Sequence, residues 1–190
     1  VTTAEGTRED IIRSALIRTG TKVNNKDTLI KSDERLDELN RRGYKIIQHP
    51  KKFCFGIDAV LLSAFANVKE GEKVLDIGTG TGVIPILMEA RYGGSYTGID
   101  IQEDVADMAR RSVKYNYLQE KITIDNADIK DGISLYGSNT IDVITTNPPY
   151  MTVNSGIVND NDTKAISRHE VSVTLNDIIR VSSSLLREKG

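Results

Sequence analysis

Asp76-Ile77-Gly78-Thr79-Gly80-Thr81-Gly82 stands where a β-branched apolar run, Lys73 to Ile77, gives way to a helical pattern, Val83 to Arg91. Glycines at alternate positions permit positive φ and let the backbone pass close to a bound molecule. A strand that turns through such a loop into a helix begins a βαβ unit, and the chain continues in the same rhythm. Strand Tyr96 to Ile101 leads to helix Glu103 to Tyr115, strand Lys121 to Asp125 to a short connection, and strand Thr140 to Thr146 to two prolines. This alternation implies right-handed crossovers and a doubly wound, mostly parallel sheet. The fold class is α/β.

Around that core the signals are weaker. Residues 1–30 form an extension in which Ile11, Ile12, Ala15, Leu16 and Ile17 predict a short amphipathic helix. Within a flanking segment, 31–72, Ser32-Asp33-Glu34-Arg35 reads as the cap of a helix carried by Leu36 and Leu39 and stopped near Gly43. Tyr44 to Gln48 reads as a short strand, and Ile57 to Ala66, apolar almost all round, as a buried helix. The core, 73–190, includes an aperiodic stretch, Met151 to Val173, and a last helix, Leu175 to Arg187, opened by the capping box Thr174-Leu175-Asn176-Asp177. Only four sheet strands precede Gly190. The sheet is therefore expected to lack its last strands, and the sequence to be a fragment.

A chain of 190 residues suits one main domain. Its net charge of -2 excludes the global basic footprint of many nucleic-acid binders. From Lys31 to Lys52, however, seven cations face four anions, a local balance of +3. One cysteine, Cys54, allows neither an intrachain disulfide nor a cysteine metal cluster, and a reducing cytoplasm is expected. No apolar stretch reaches the length of a membrane span. Neither a metal nor a membrane partner is expected, and the residues carry no signal about oligomeric state.

The glycine loop narrows the ligand without fixing it. A dinucleotide fold wants G-x-G-x-x-G, which would place its third glycine at Val83; here the spacing is G-x-G-x-G, with Asp76 two residues before Gly78. An acid beside the turn repels pyrophosphate and suits a cationic amino group, as on S-adenosylmethionine. A plain turn and a dinucleotide site remain alternatives. Asp100, ending the second strand, can accept hydrogen bonds from ribose hydroxyls in either kind of site, or cap the next helix. Asp128, beyond the third strand on the same edge, offers an acceptor for an adenine amine or is a loop acid.

Asn147-Pro148-Pro149-Tyr150 ends the fourth strand at the edge where open parallel sheets bind ligands. The motif suits an amine whose lone pair is delocalised into a ring or carbonyl. The Asn147 side-chain oxygen and the Pro148 carbonyl would accept its N–H bonds, and Tyr150 would stack on its ring. Successive prolines hold the backbone stiffly and leave carbonyls unencumbered by N–H donors. Taken alone, the string is a strand-ending turn; beside an acid-preceded glycine loop it reads as a catalytic clamp.

Together these motifs resemble a class I, S-adenosylmethionine-dependent amino methyltransferase. Phe55-Gly56-Ile57-Asp58-Ala59-Val60-Leu61-Leu62, Asn147 to Met151 and Arg168-His169-Glu170 are more specifically similar to the bacterial tRNA1(Val) adenine-37 N6-methyltransferase family. The resemblance covers roughly four fifths of the chain, from Leu36 to about Arg187. It implies a Rossmann-like fold and N6-methylation of adenine in RNA, a tRNA. It also implies that Asp76, Gly78, Gly80 and Gly82 hold the methionine end of the cofactor, Asp100 the ribose, and Asp128 with Ile129 the adenine, with Ile101 also against the cofactor. Phe55, Gly56 and Asp58 would close the pocket from upstream. Asn147 would border the cofactor while acting with Pro148, Pro149 and Tyr150 on the substrate. Lys51 and Lys52, with Arg168 and His169, are the candidate RNA contacts. The same motif also occurs in enzymes that methylate a glutamine amide of release factors or other RNA and DNA amines, and a catalytically silent cofactor-binding module is a further alternative.

Overall fold

The computed structural model describes residues 26–52, 54–147 and 173–188. The expectations for residues 1–25, for Pro148, Pro149 and Tyr150, and for Arg168 and His169 lie outside them. The central sheet has the order β5 (Ile122–Asn126), β4 (Ser95–Asp100), β3 (Lys73–Ile77), β6 (Val143–Thr146), with all three pairings parallel. Helices α2 (Val83–Tyr92) and α3 (Glu103–Tyr115) follow β3 and β4, each at its expected place. Because side chains alternate across a strand, Val74 enters one core, with α2 and α3, while Leu75 and Ile77 enter another. That second core is closed by Ile178, Val181 and Leu185 of α5 (Leu175–Leu185). The α5 capping box forms as its sequence predicts: Thr174 Oγ1 accepts from the Asp177 amide, and Asp177 accepts from Thr174 N.

Four sequence expectations are corrected. Residues 32–43 do not form a helix; Arg35–Glu38 is a strand, β1, antiparallel to β2 (Lys45–Gln48). Asn40, Arg42 and Gly43 all have positive φ in the connecting turn, which no α-helix accommodates. The glycine that looked like a helix stop belongs to a hairpin. Second, helix α1 (Ile57–Phe65) is not buried all round: Ile57, Leu61 and Phe65 are exposed, Phe65 to 88%. It packs on α2 by one face, burying Ala59 and Ser63.

Third, the connection after β5 holds a 3-10 turn, Ile129–Asp131, and a short helix, α4 (Gly132–Tyr136). Finally, β6 is shorter than expected, beginning at Val143; Ile141 makes only an isolated parallel bridge to Leu186, and Asp142 instead accepts from Lys73 N at 2.8 Å.

The hairpin docks on α3 through side chains. Ile47 N donates to Ser112 Oγ (3.0 Å), while Asn116 accepts from Lys45 N (2.9 Å) and donates to Lys45 O (2.6 Å). Gln48, buried at the end of β2, accepts from Phe55 N at 3.0 Å. This chain of contacts brings segment 54–58 back toward the carboxyl edge of the sheet.

Candidate active site

The edge is built on β3. Asp76 lies in register with Thr145 of β6, and the Thr145 hydroxyl donates to Asp76 Oδ1 at 2.7 Å. Thr146 likewise donates to Ile77 O at 3.0 Å. These two threonines fix β6 so that Asn147 emerges beside the glycine loop. They belong to the site's frame, and sequence reading, treating them as strand formers, did not single them out.

The loop is laced onto β4. Gly78 N and Thr79 N donate to Ile99 O (2.9 and 3.0 Å), and Gly80 N to Asp100 Oδ2 (2.9 Å). Three amides of the kind that cradle a phosphate are engaged within the protein. What the loop offers a ligand is space: a Cβ placed on Gly78 or Gly80 would meet nothing within 4 Å. Gly82 differs. With φ 83° it starts α2, and a Cβ there would lie 3.3 Å from Ala109 Cβ, so the absence of a side chain lets α3 approach. Gly98 of β4 does the same for Thr79, whose Oγ1 would lie 2.6 Å from an added Cβ.

Charge is concentrated under this loop. Asp76 is 1% exposed, no donor comes within hydrogen-bonding geometry of its Oδ2, and burial pushes its pKa up to about 7 against the pull of the Thr145 and Thr79 hydroxyls. A buried carboxylate with an unused oxygen suits a cation. Asp100 is also buried; burial raises its pKa while the amides of Gln102 (3.0 Å) and Gly80 oppose the shift. It does not cap α3, whose N-cap is Gln102. Its carboxylate retains lone pairs for further donors. Beside it Ile101 is 41% exposed, an apolar surface for a flat ring, and Asn126 Nδ2 holds the backbone carbonyls of both Asp100 and Ile101 at 3.0 Å.

Asp128 caps the 3-10 turn, accepting from Lys130 N at 2.9 Å. The Ile129 side chain is turned into the core with Leu75 and Ile99, so any contact it makes on the ligand side belongs to its backbone.

Upstream, Phe55 is half-buried against the core, Gly56 is the N-cap of α1, and Asp58 lies in its first turn. Asn147 Nδ2 donates to Asp58 Oδ2 at 3.0 Å, and this bond, with the N-terminal amides of α1, holds the Asp58 carboxyl below its usual pKa. The segment expected to close the pocket and the residue expected to act in it thus touch.

The basic patch is largely neutralised: Lys31, Arg35, Arg42, Lys45 and Lys52 pair with Asp107, Asp37, Glu89, Glu38 and Asp104. Lys52 sits on the first turn of α3, near the edge, and the neighbouring Lys51 is exposed. Among the described residues no cluster of His, Cys, Asp and Glu could hold a metal, and no helix is long and apolar enough to cross a membrane.

Residues 43–189 match the Methyltransferase small domain family. The chain belongs to that family. Curated relatives named tRNA1(Val) (adenine(37)-N6)-methyltransferase include one from Phocaeicola vulgatus, 33% identical over 136 residues, and one from Aeromonas salmonicida, 30% identical over 137 residues. Each match covers 71% of this chain and 56% of the relative, so the chain spans little more than half their length.

Among solved structures, a putative transferase from Pyrococcus horikoshii aligns with TM-score 0.58 at 16% identity, over 83% of this chain and 50% of its own. A geranyl diphosphate methyltransferase in complex with SAM aligns with TM-score 0.54 at 18% identity, over 70% and 46%. At such identities the likeness establishes the Rossmann-like fold of this methyltransferase family member.

Proposed function

We propose that this methyltransferase domain transfers a methyl group from S-adenosylmethionine to N6 of an adenine in RNA, a tRNA. The observation that carries the reading is the juxtaposition at the carboxyl edge. Through Thr145 and Thr146, the strand ending in Asn147 is fastened to the strand that carries Asp76.

The residues fit the cofactor. Asp76 has a buried, unpartnered oxygen for a positive amino group, the loop has open space at Gly78 and Gly80, and Asp100 with Ile101 presents a carboxylate and an apolar face for a nucleoside. Asp128 supplies an acceptor farther along. Phe55 and Gly56 close the pocket from upstream. The occupied loop amides disfavour a pyrophosphate at the same place, which removes the reason to prefer a dinucleotide.

When bound, this cofactor supplies an already activated electrophilic methyl group. The protein's part is positioning, worth on the order of 7–11 kcal/mol in the most favourable cases. Asn147 Oδ1 would accept one N–H of the exocyclic amine and the Pro148 carbonyl the other, turning the nitrogen lone pair toward the methyl; the N–C bond would form as the S–CH3 bond breaks, and the nitrogen would then release one of its protons to water. Tyr150 stacks on the base, roughly 1–3 kcal/mol. The adenine must be unpaired or flipped to enter, and Lys51, Lys52, Arg168 and His169 contact the RNA backbone around it. The relatives' printed names support tRNA adenine as substrate.

The test is methyl transfer from labelled S-adenosylmethionine to total RNA and, separately, to purified release factor, with mass spectrometry of the labelled nucleoside. Label in N6-methyladenosine, lost in Asn147→Ala while cofactor affinity holds, is the expected result. Label in release factor alone, or Asn147→Ala working at the parental rate, would overturn the proposal.

A further inference from the structure

Asp58 and Asn147 are separated by 89 positions in the chain and meet in one hydrogen bond, Asn147 Nδ2 to Asp58 Oδ2 at 3.0 Å. We infer that Asp58 is a positioning residue: it decides which end of the Asn147 amide faces the substrate. The inference rests on the reading of Asn147 given above.

A primary amide has a donor end and an acceptor end, interchanged by half a turn of the side chain, and only the acceptor end can hold an incoming N–H. An ionised carboxylate, in contrast, only accepts. Placed against Nδ2, Asp58 leaves Oδ1 turned away from itself, available for an amine. In the reversed orientation Oδ1 would oppose the carboxylate, with repulsion in place of a charge-assisted bond. Asp58 is suited to this work because its carboxyl is held ionised, by Asn147 and by backbone amides of Asp58 and Ala59 in the first turn of α1.

Gly56 carries an independent sign of the same arrangement. Its φ of -102° is open to any residue, so the backbone does not demand glycine. The demand is spatial: a Cβ at residue 56 would lie 2.5 Å from Asp58 Oδ1. The carboxylate can swing away from such a side chain at little cost to the fold, but only by changing the orientation that meets Asn147. Gly56 and Asp58 are therefore one device acting on a residue almost ninety positions later.

The test combines kinetics with an amide signature. Asp58→Ala should lower methyl transfer to RNA at saturating cofactor by on the order of tenfold, the usual size of an effect exerted through a supporting contact. Gly56→Ala should reproduce the defect, and Asp58→Asn, which keeps an acceptor but allows either orientation, should lose only about twofold. The defect of all three should persist at saturating S-adenosylmethionine. In nitrogen-15 NMR spectra, the Asn147 side-chain amide signals, assigned by their loss in Asn147→Ala, should shift in Asp58→Ala and Gly56→Ala.

A parental rate in Asp58→Ala, a defect that vanishes at saturating cofactor, or unmoved amide signals would each overturn the inference. If Asn147→Ala itself retained the parental rate, the functional reading would fall first, and the amide signals would still decide whether Asp58 sets the orientation.

Discussion

At the β3–β4 end of the carboxyl edge, Asp76 and Asp100 are almost wholly buried and are held by a cross-strand hydroxyl and by backbone amides of the adjoining loops. At the β6 end, Asn147 is only half-buried, and its side chain is held by one carboxylate from a surface helix. The first arrangement is made by strand register and glycine geometry, so altering it changes the stability of the fold. The second depends on the placement of one side chain, so altering it should change stability little and, on the proposed function, change the chemistry. On the proposed function, the cofactor is met by a fixed cradle and the amine substrate by one turned amide.

Asp76 gives the sharpest way to break this contrast. Its folded pKa, about 7, exceeds the ordinary 3.8, so between those values the folded state binds more protons than the unfolded state. Stability associated with the neutral acid is full below about pH 4 and is lost as pH rises through 7. Without cofactor, Asp76→Asn should therefore be more stable than the parent at pH 8, by roughly 2–4 kcal/mol in urea unfolding, with the difference shrinking toward pH 4. It should also bind S-adenosylmethionine poorly, while parental affinity rises from pH 6 to 8 as Asp76 ionises. Equal stability at pH 8 would remove the cost assigned to this buried charge.

Gly98→Ala comes next. Its Cβ would press on Thr79 Oγ1, Cγ2 and Cβ at 2.6, 2.8 and 2.9 Å, and displacing the loop should cost roughly 1–3 kcal/mol and weaken cofactor binding in calorimetry. At the substrate end, Asn147→Ala should move the urea midpoint far less than Gly98→Ala does while abolishing methyl transfer; a comparable loss of stability would erase the distinction between the two regions.

A smaller effect is expected outside the edge. Charge reversal at Lys51 and Lys52 should make the dependence of log RNA affinity on log salt shallower, by about 0.7 for each single-strand phosphate that is no longer neutralised, with cofactor affinity unchanged. Filter binding across a salt series measures it, and an unaltered slope would remove both lysines from the RNA interface. The smallest belongs to Phe65, exposed at the end of α1: Phe65→Ser should shift stability by less than about 0.5 kcal/mol.

The sequence by itself determined the parallel sheet and the order of its parts, because alternating β-branched and amphipathic runs state their own period and each crossover has one hand. It also located Asp76 to Gly82, Asp100 and Asn147, since glycine spacing and strand-end acids are local features. It misplaced 32–43, where apolar Leu36 and Leu39 fit a helix as well as they fit a strand and only the pairing with β2 selected the strand. It overburied α1, because composition reports how apolar a helix is and not how much of its surface other elements cover.

The tertiary structure alone decided the remainder: that Thr145 binds Asp76, that the loop amides are spent on β4 and Asp100, and that Asn147 meets Asp58. Each joins side chains or strands far apart in the chain. Periodicity carries no information about such a pairing until the sheet brings its partners to one edge.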